Sequence, residues 1–136
     1  MADPRHPRGL IDTSVVIALD RIEPAALPVE IAVSAITMAE LAAGPHATAD
    51  PAERARRQDR LQRAEATFEP LPVDGAVARA YGRVYAAVGT AGRKARGRRA
   101  VDLLIAATAV AAGLPLYSRN PDDFAGLSEM LEVVTV

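Results

Sequence analysis

The sequence predicts an α/β domain with a mainly parallel central sheet of about four to five strands flanked by helices. Three observations predict it. Short apolar runs rich in β-branched residues alternate along the chain with longer segments of helical spacing. Capping and turn residues punctuate most of the junctions between them. The 136 residues, half of them hydrophobic, suffice for one buried core and contain no tract that reads as a repeat, a linker or low complexity.

The elements follow in order. Residues 1–8 carry Pro4, Pro7 and mixed charge and read as a flexible lead; residues 9–136 form the domain. Gly9, Leu10 and Ile11 make a short apolar run ending at Asp12, which reads as a buried strand. Asp12, Thr13 and Ser14 supply capping side chains for a helix continuing through 15–19. Pro24 and Pro28 punctuate the loop beyond. Residues 30–33, with β-branched Ile31 and Val33, read as a second strand. Ser34 caps a helix over 35–43 that Gly44-Pro45 stops. Residues 51–67, rich in Arg, Glu, Gln and Ala, have helical spacing, and 71–73 read as a third strand bracketed by prolines. Asp74 caps a long helix to about residue 88, and 89–97 is a loop rich in Gly and Arg. Residues 100–112 are helical and mostly apolar, ended by Gly113 and Pro115. Residues 116–118 are a strand, Asn120-Pro121 opens a turn, and 131–136 is a last strand rich in valine.

Composition excludes several chemistries. The absence of cysteine rules out disulfides, thiolate metal sites and a cysteine nucleophile. Two histidines, His6 and His46, are too few for a histidine-rich zinc site. Any bound metal must be held by oxygen, which selects Mg²⁺ or Mn²⁺. The net charge of −1 excludes a globally basic nucleic-acid binder. Charge is nevertheless clustered: Arg93, Lys94, Arg96, Arg98 and Arg99 form one basic stretch, and Arg54, Arg56, Arg57, Arg60 and Arg63 another. The preference for arginine over lysine suits bidentate phosphate contacts, and also fits a bias in genomic base composition. No apolar run is long enough for a transmembrane helix, and the first eight residues lack the apolar stretch of a signal peptide, so the expected compartment is the cytoplasm.

Four acids stand where solvation alone does not explain them. Asp12 follows a predicted buried strand, and ligand sites of open α/β sheets lie beyond such strand ends. Glu40 shares a helical stripe with Ile36 and Ala43. Asp102 opens the apolar helix Val101-Asp102-Leu103-Leu104-Ile105. Asp123 follows the strand at 116–118, in Ser118-Arg119-Asn120-Pro121-Asp122-Asp123-Phe124. Each also has an ordinary explanation. Asp12 caps a helix, Glu40 reaches solvent from a helix edge, Asp102 complements a helix dipole, and Asp123, Ser118 and Asn120 belong to a polar turn. Together they are more informative, because a parallel sheet gathers strand ends at one edge. Clustered carboxylates raise one another's pKa unless a cation neutralises them, and a hard divalent ion is the natural partner.

Four segments in this order resemble a PIN-domain nuclease, and more narrowly the VapC toxins of bacterial toxin–antitoxin pairs. They are Leu10-Ile11-Asp12-Thr13-Ser14-Val15, Ser34-Ala35-Ile36-Thr37-Met38-Ala39-Glu40-Leu41, Asp102-Leu103-Leu104-Ile105-Ala106-Ala107-Thr108-Ala109 and Ser118-Arg119-Asn120-Pro121-Asp122-Asp123-Phe124. The resemblance runs from about Gly9 to Val136. It implies a Mg²⁺- or Mn²⁺-dependent endoribonuclease acting on tRNA, rRNA or mRNA, a homodimer, and a cognate VapB-type antitoxin that blocks the acidic site. By motif position Asp12, Glu40 and Asp102 match the three core acids and Asp123 the more variable fourth. Thr13 matches a hydroxyl that supports the first acid. Ser118 replaces the commoner threonine, and Asp122 competes with Asp123 for the fourth place.

On that footing Asp12 and Asp102 are the primary metal ligands. Glu40 and Asp123 complete the site directly or through water, and water activated by the metal attacks the scissile phosphate. The sequence positions no histidine or lysine as a general base. The stretch from Arg93 to Arg99 is a candidate RNA contact, or else a solvated loop. Two further readings keep the fold and change the role: a non-catalytic RNA- or protein-binding module, and a phosphatase or DNA-directed nuclease using the same acids. Val77, Tyr81, Val84 and Val88 form a helical stripe that faces either a dimer partner or, as favoured here, the core.

Overall fold

The computed structural model describes residues 3–90 and 97–136. Arg93, Lys94 and Arg96, three of the candidate RNA contacts, lie outside the described residues. The strands are β1 (Arg8–Ile11), β2 (Glu30–Ala32), β3 (Leu116–Ser118) and β4 (Val133–Thr135). The helices are α1 (Thr13–Ile17), α2 (Ala35–Ala43), α3 (Pro51–Thr67), α4 (Gly75–Thr90) and α5 (Arg98–Ala112). Short 3₁₀ turns span Leu19–Arg21, Pro24–Ala26, Gly44–Ala47 and Pro121–Phe124. No helix among the described residues is long and apolar enough to cross a membrane.

The sheet is wholly parallel, in the order β2-β1-β3-β4, as the alternation of elements predicts. Successive residues of a strand point to opposite faces. Leu10 and Leu116 therefore join Val84, Val88, Leu103 and Ala106 in a core under α4 and α5. Their neighbours Ile11 and Tyr117 join Val15, Val16, Leu41 and Ala64 on the side of α1, α2 and α3. Only a residue without a side chain fits where Gly9 lies. A Cβ there would stand 2.5 Å from Tyr117 Cε1 on β3.

Where chain and expectation differ, backbone chemistry gives the reason. Residues 71–73 do not form a strand: Leu71 makes a single bridge to Ser34, because Pro70 and Pro72 have no N–H to extend a ladder. The last strand is confined to Val133–Thr135, since Met130 and Leu131 donate their N–H groups back to the Leu127 carbonyl. Gly44-Pro45 ends α2 by turning it into a 3₁₀ segment rather than into a loop. Gly113, at φ 66°, supplies the left-handed residue that closes α5. Val77, Val84 and Val88 of α4 are buried in the core and Tyr81 packs beside them, so that stripe is consumed within the molecule.

The topology itself marks a site. From β1 the chain steps first to β2 on one side and later to β3 on the other, so the order reverses at β1. Ligand crevices of open α/β sheets form beyond the carboxyl ends of strands at such a reversal. Asp12 stands at the end of β1 there, and its N–H bonds to the Tyr117 carbonyl of β3 at 3.0 Å.

Candidate active site

Asp12 is 6% exposed and caps α1. Its Oδ1 accepts the Val15 N–H at 3.1 Å and the Ser14 hydroxyl at 2.6 Å. Ser14 Oγ in turn accepts the Arg119 N–H at 3.2 Å, which ties the end of β3 to the first acid. No described residue donates to Asp12 Oδ2.

Glu40 comes from α2, half-buried. Its Oε1 accepts the Thr13 hydroxyl at 2.5 Å. The resemblance assigned Thr13 to the first acid; the geometry gives Thr13 to Glu40 and Ser14 to Asp12. A residue that starts α1 points across to α2, whereas the next one turns back on the cap it follows.

Asp102 lies one turn into α5. Its carboxyl is pushed up from the ordinary 3.8 to about 6, chiefly by burial and then by the negative charge of Asp123. Arg98, one turn earlier on α5, pulls it down; Glu40 and Asp12 push it up. Four acids, from the end of β1, α2, α5 and the Pro121–Phe124 turn, thus share one electrostatic field. Asp123 is half-buried within it, while Asp122 is exposed.

This convergence is electrostatic rather than a closed ligand cage. Among the described residues no three His, Asp or Glu side chains stand close enough to enclose a metal ion. The donor set still fits one. It is all carboxylate oxygen, one acid has an oxygen without a described donor, and the pKa of another is pushed up by burial and by its acidic neighbours. A divalent cation relieves each of these.

A family model described as the PIN domain matches residues 9–129. The chain belongs to the PIN-domain family. Ribonuclease VapC5 of Mycobacterium tuberculosis (strain ATCC 25618 / H37Rv) is 36% identical over 133 residues, covering 94% of this chain and 95% of that protein. A crystal structure of VapBC-5, a member of the VapBC family of toxin-antitoxin systems from Mycobacterium tuberculosis, has a TM-score of 0.84 at 36% identity, covering 96% of this chain and 99% of that one. The structure of FitAcB from Neisseria gonorrhoeae has a TM-score of 0.69 at 26% identity, covering 93% and 96% of the two chains. The VapC-type resemblance carried by the four motifs is thereby borne out.

The remaining polar residues of this PIN domain divide by what they touch. Ser118, fully buried, accepts the Asn120 N–H at 2.9 Å, and the Asn120 carbonyl accepts the Asp123 N–H at 3.0 Å. Both shape the turn that presents Asp123. Arg99 donates to the Asp123 carbonyl at 3.1 Å, whereas Arg98 is exposed beside Asp102. The second basic stretch is partly structural. Arg54 holds the carbonyls of Pro45 and Thr48, and Arg57 that of Gly44. Arg56, Arg60 and Arg63 line a cleft of about 560 Å³ between α1, the turn after it and α3, which none of the four acids lines. Sequence reading missed Ser14 as the partner of Asp12, and Thr37. Thr37 and Glu40 are three apart on α2 and so share a face, which was the available signal.

Proposed function

We propose that the protein is the toxin of a toxin–antitoxin pair: a divalent-metal-dependent endoribonuclease of the cytoplasm, restrained by a cognate VapB-type antitoxin. The observation that carries this reading is the shared field of Asp12, Glu40, Asp102 and Asp123 at the strand-order reversal of a VapC-type PIN domain. Relatives named Ribonuclease VapC and a structure of VapBC-5 support the ribonuclease and antitoxin parts.

Asp12 and Asp102 would hold Mg²⁺ or Mn²⁺ as primary ligands, with Glu40 and Asp123 joining directly or through water. Such an ion supplies an acidified water and neutralises charge on a scissile phosphate. The chain's own residues prepare the rest. Ser14 and the Val15 N–H fix the Asp12 carboxylate in one orientation. Thr13 donates to Glu40 and so orients its carboxylate. Asp102 must release its proton before it can ligate. Arg98 places a guanidinium beside the acids, where a backbone phosphate would lie.

Purified protein is expected to cleave RNA with Mg²⁺ or Mn²⁺ and to stop on chelation. Asp12→Asn and Asp102→Asn proteins are expected to fold, by circular dichroism, yet lose at least about a hundredfold in cleavage and lose toxicity. Full activity in either variant would sink the assignment. Preferential cleavage of DNA in competition would move the site to another substrate, and binding of RNA without cleavage would make the protein a binding module. The same reading expects a homodimer by light scattering at micromolar concentration.

A further inference from the structure

A line of hydroxyl groups runs from the core to Glu40. Ser34 and Thr37 are both fully buried. Ser34 Oγ lies 3.4 Å from Thr37 Oγ1, Thr37 Oγ1 lies 3.1 Å from Thr13 Oγ1, and Thr13 Oγ1 lies 2.5 Å from Glu40 Oε1. Helix capping explains Ser34, whose Oγ accepts the Thr37 N–H at 3.0 Å. It does not explain the Thr37 hydroxyl. Valine would fill the same volume, and a buried hydroxyl is costly unless it is bonded.

Counting protons fixes the direction of the line. Each hydroxyl has one proton to give. The Thr13 hydroxyl donates to Glu40 Oε1, so its one proton is spent there. The Thr13 oxygen must then be the acceptor for Thr37, whose proton is spent there. Thr37 Oγ1 is left to accept from Ser34, across the longest and weakest link. Ser34 is itself anchored, because its neighbours Val33 and Ala35 both bond Leu71 across the bridge after β2.

We infer that Thr37 is a positioning residue for Glu40: the directed line Ser34 to Thr37 to Thr13 holds the Glu40 carboxylate as an acceptor in one orientation, ready for a divalent cation. Thr13 follows Asp12 in the chain, so the same line sets the spacing of the first two acids. It joins α1 to α2 by side chains alone. The inference rests on the metal-dependent reading above. It adds that a residue touching neither metal nor RNA governs how tightly the metal binds.

The test is Mn²⁺ binding to RNA-free protein by titration calorimetry at neutral pH. Thr37→Val is expected to weaken Mn²⁺ binding about tenfold, the scale seen when groups that orient ligands are removed, while Thr37→Ser stays within about twofold of wild type. Thr13→Val breaks the same line from its half-exposed end and is expected to match Thr37→Val; it carries the test if buried valine at 37 prevents folding. In a Glu40→Gln background, Thr37→Val is expected to add less than about twofold, because it acts through Glu40. A general loosening of the fold would instead weaken both backgrounds alike, and that result would overturn the inference. So would unchanged Mn²⁺ affinity in a folded Thr37→Val protein alongside weakened affinity in Glu40→Gln. Unchanged affinity in Glu40→Gln itself would remove Glu40 from the metal site, which is failure of the functional reading rather than of the line.

Discussion

With Asp102 pushed up to about 6 from the ordinary 3.8, the native protein free of metal keeps a proton that the unfolded chain has already released. Between about pH 4 and pH 6 the native state therefore binds more protons, and stability falls as pH rises through that window. The site is half exposed, so solvent screening holds the loss to about 1 kcal/mol. Asp102→Asn mimics the neutral acid and escapes it. In chelator at pH 7 the variant is expected to melt about 2–4 °C above wild type, and the gap is expected to close near pH 4. A variant no more stable than wild type at pH 7 would contradict the electrostatic account. The burial of this acid was legible in the sequence, because Asp amid Val101, Leu103 and Leu104 is conspicuous. The partners of the hydroxyls were not. Thr13 and Ser14 are adjacent, and only the packing of α2 against α1 decides that one serves Glu40 and the other Asp12.

At the start of α5, Arg98 and Arg99 are indistinguishable by type and position, yet a helix turns neighbours about 100° apart. Arg98 is exposed next to Asp102; Arg99 is bound to the carbonyl of Asp123. They should fail differently. Arg98→Ala is expected to raise KM for RNA and reduce the log–log salt slope by about 1, with kcat nearly kept. Arg99→Ala loosens the Pro121–Phe124 turn and is expected to lower kcat more than it raises KM. The opposite pattern in steady-state kinetics, measured at two salt concentrations, would reverse the two roles. Elements of this kind were readable where local signals agree. The bounds of α2 and β3 follow from a serine cap and from the stops at Gly113 and Pro115 and at Asn120-Pro121. They were unreadable where neighbours decide. Residues 71–73 look like a strand until their prolines meet a sheet edge that needs donors.

Across the whole molecule, four acids from distant parts of the chain are held together by folding, and the native protein free of metal bears their repulsion. A net charge of −1 gives no general attraction for RNA, so local charges at the site matter more than the total. The order of strands was legible only as "parallel"; the reversal at β1, where Asp12 stands, depends on which strands pair, and no local pattern specifies that. A cation that binds the folded site and not the unfolded chain must stabilise the fold in proportion to its occupancy. At a concentration one hundred times its Kd the gain is about 2.7 kcal/mol. For a domain of this size that is several degrees of melting temperature. Wild-type protein at pH 7 is therefore expected to melt several degrees higher in Mg²⁺ than in chelator. Asp12→Asn should show a small fraction of that rise, since it loses an acid whose orientation is fixed by two hydrogen bonds before any cation arrives. Arg99→Ala, which removes none of the four carboxylates, should keep most of it. Equal stabilisation of wild type and Asp12→Asn would mean that Mg²⁺ acts on the surface at large, and the strand-order reversal would then be a feature of the fold with no part in holding metal.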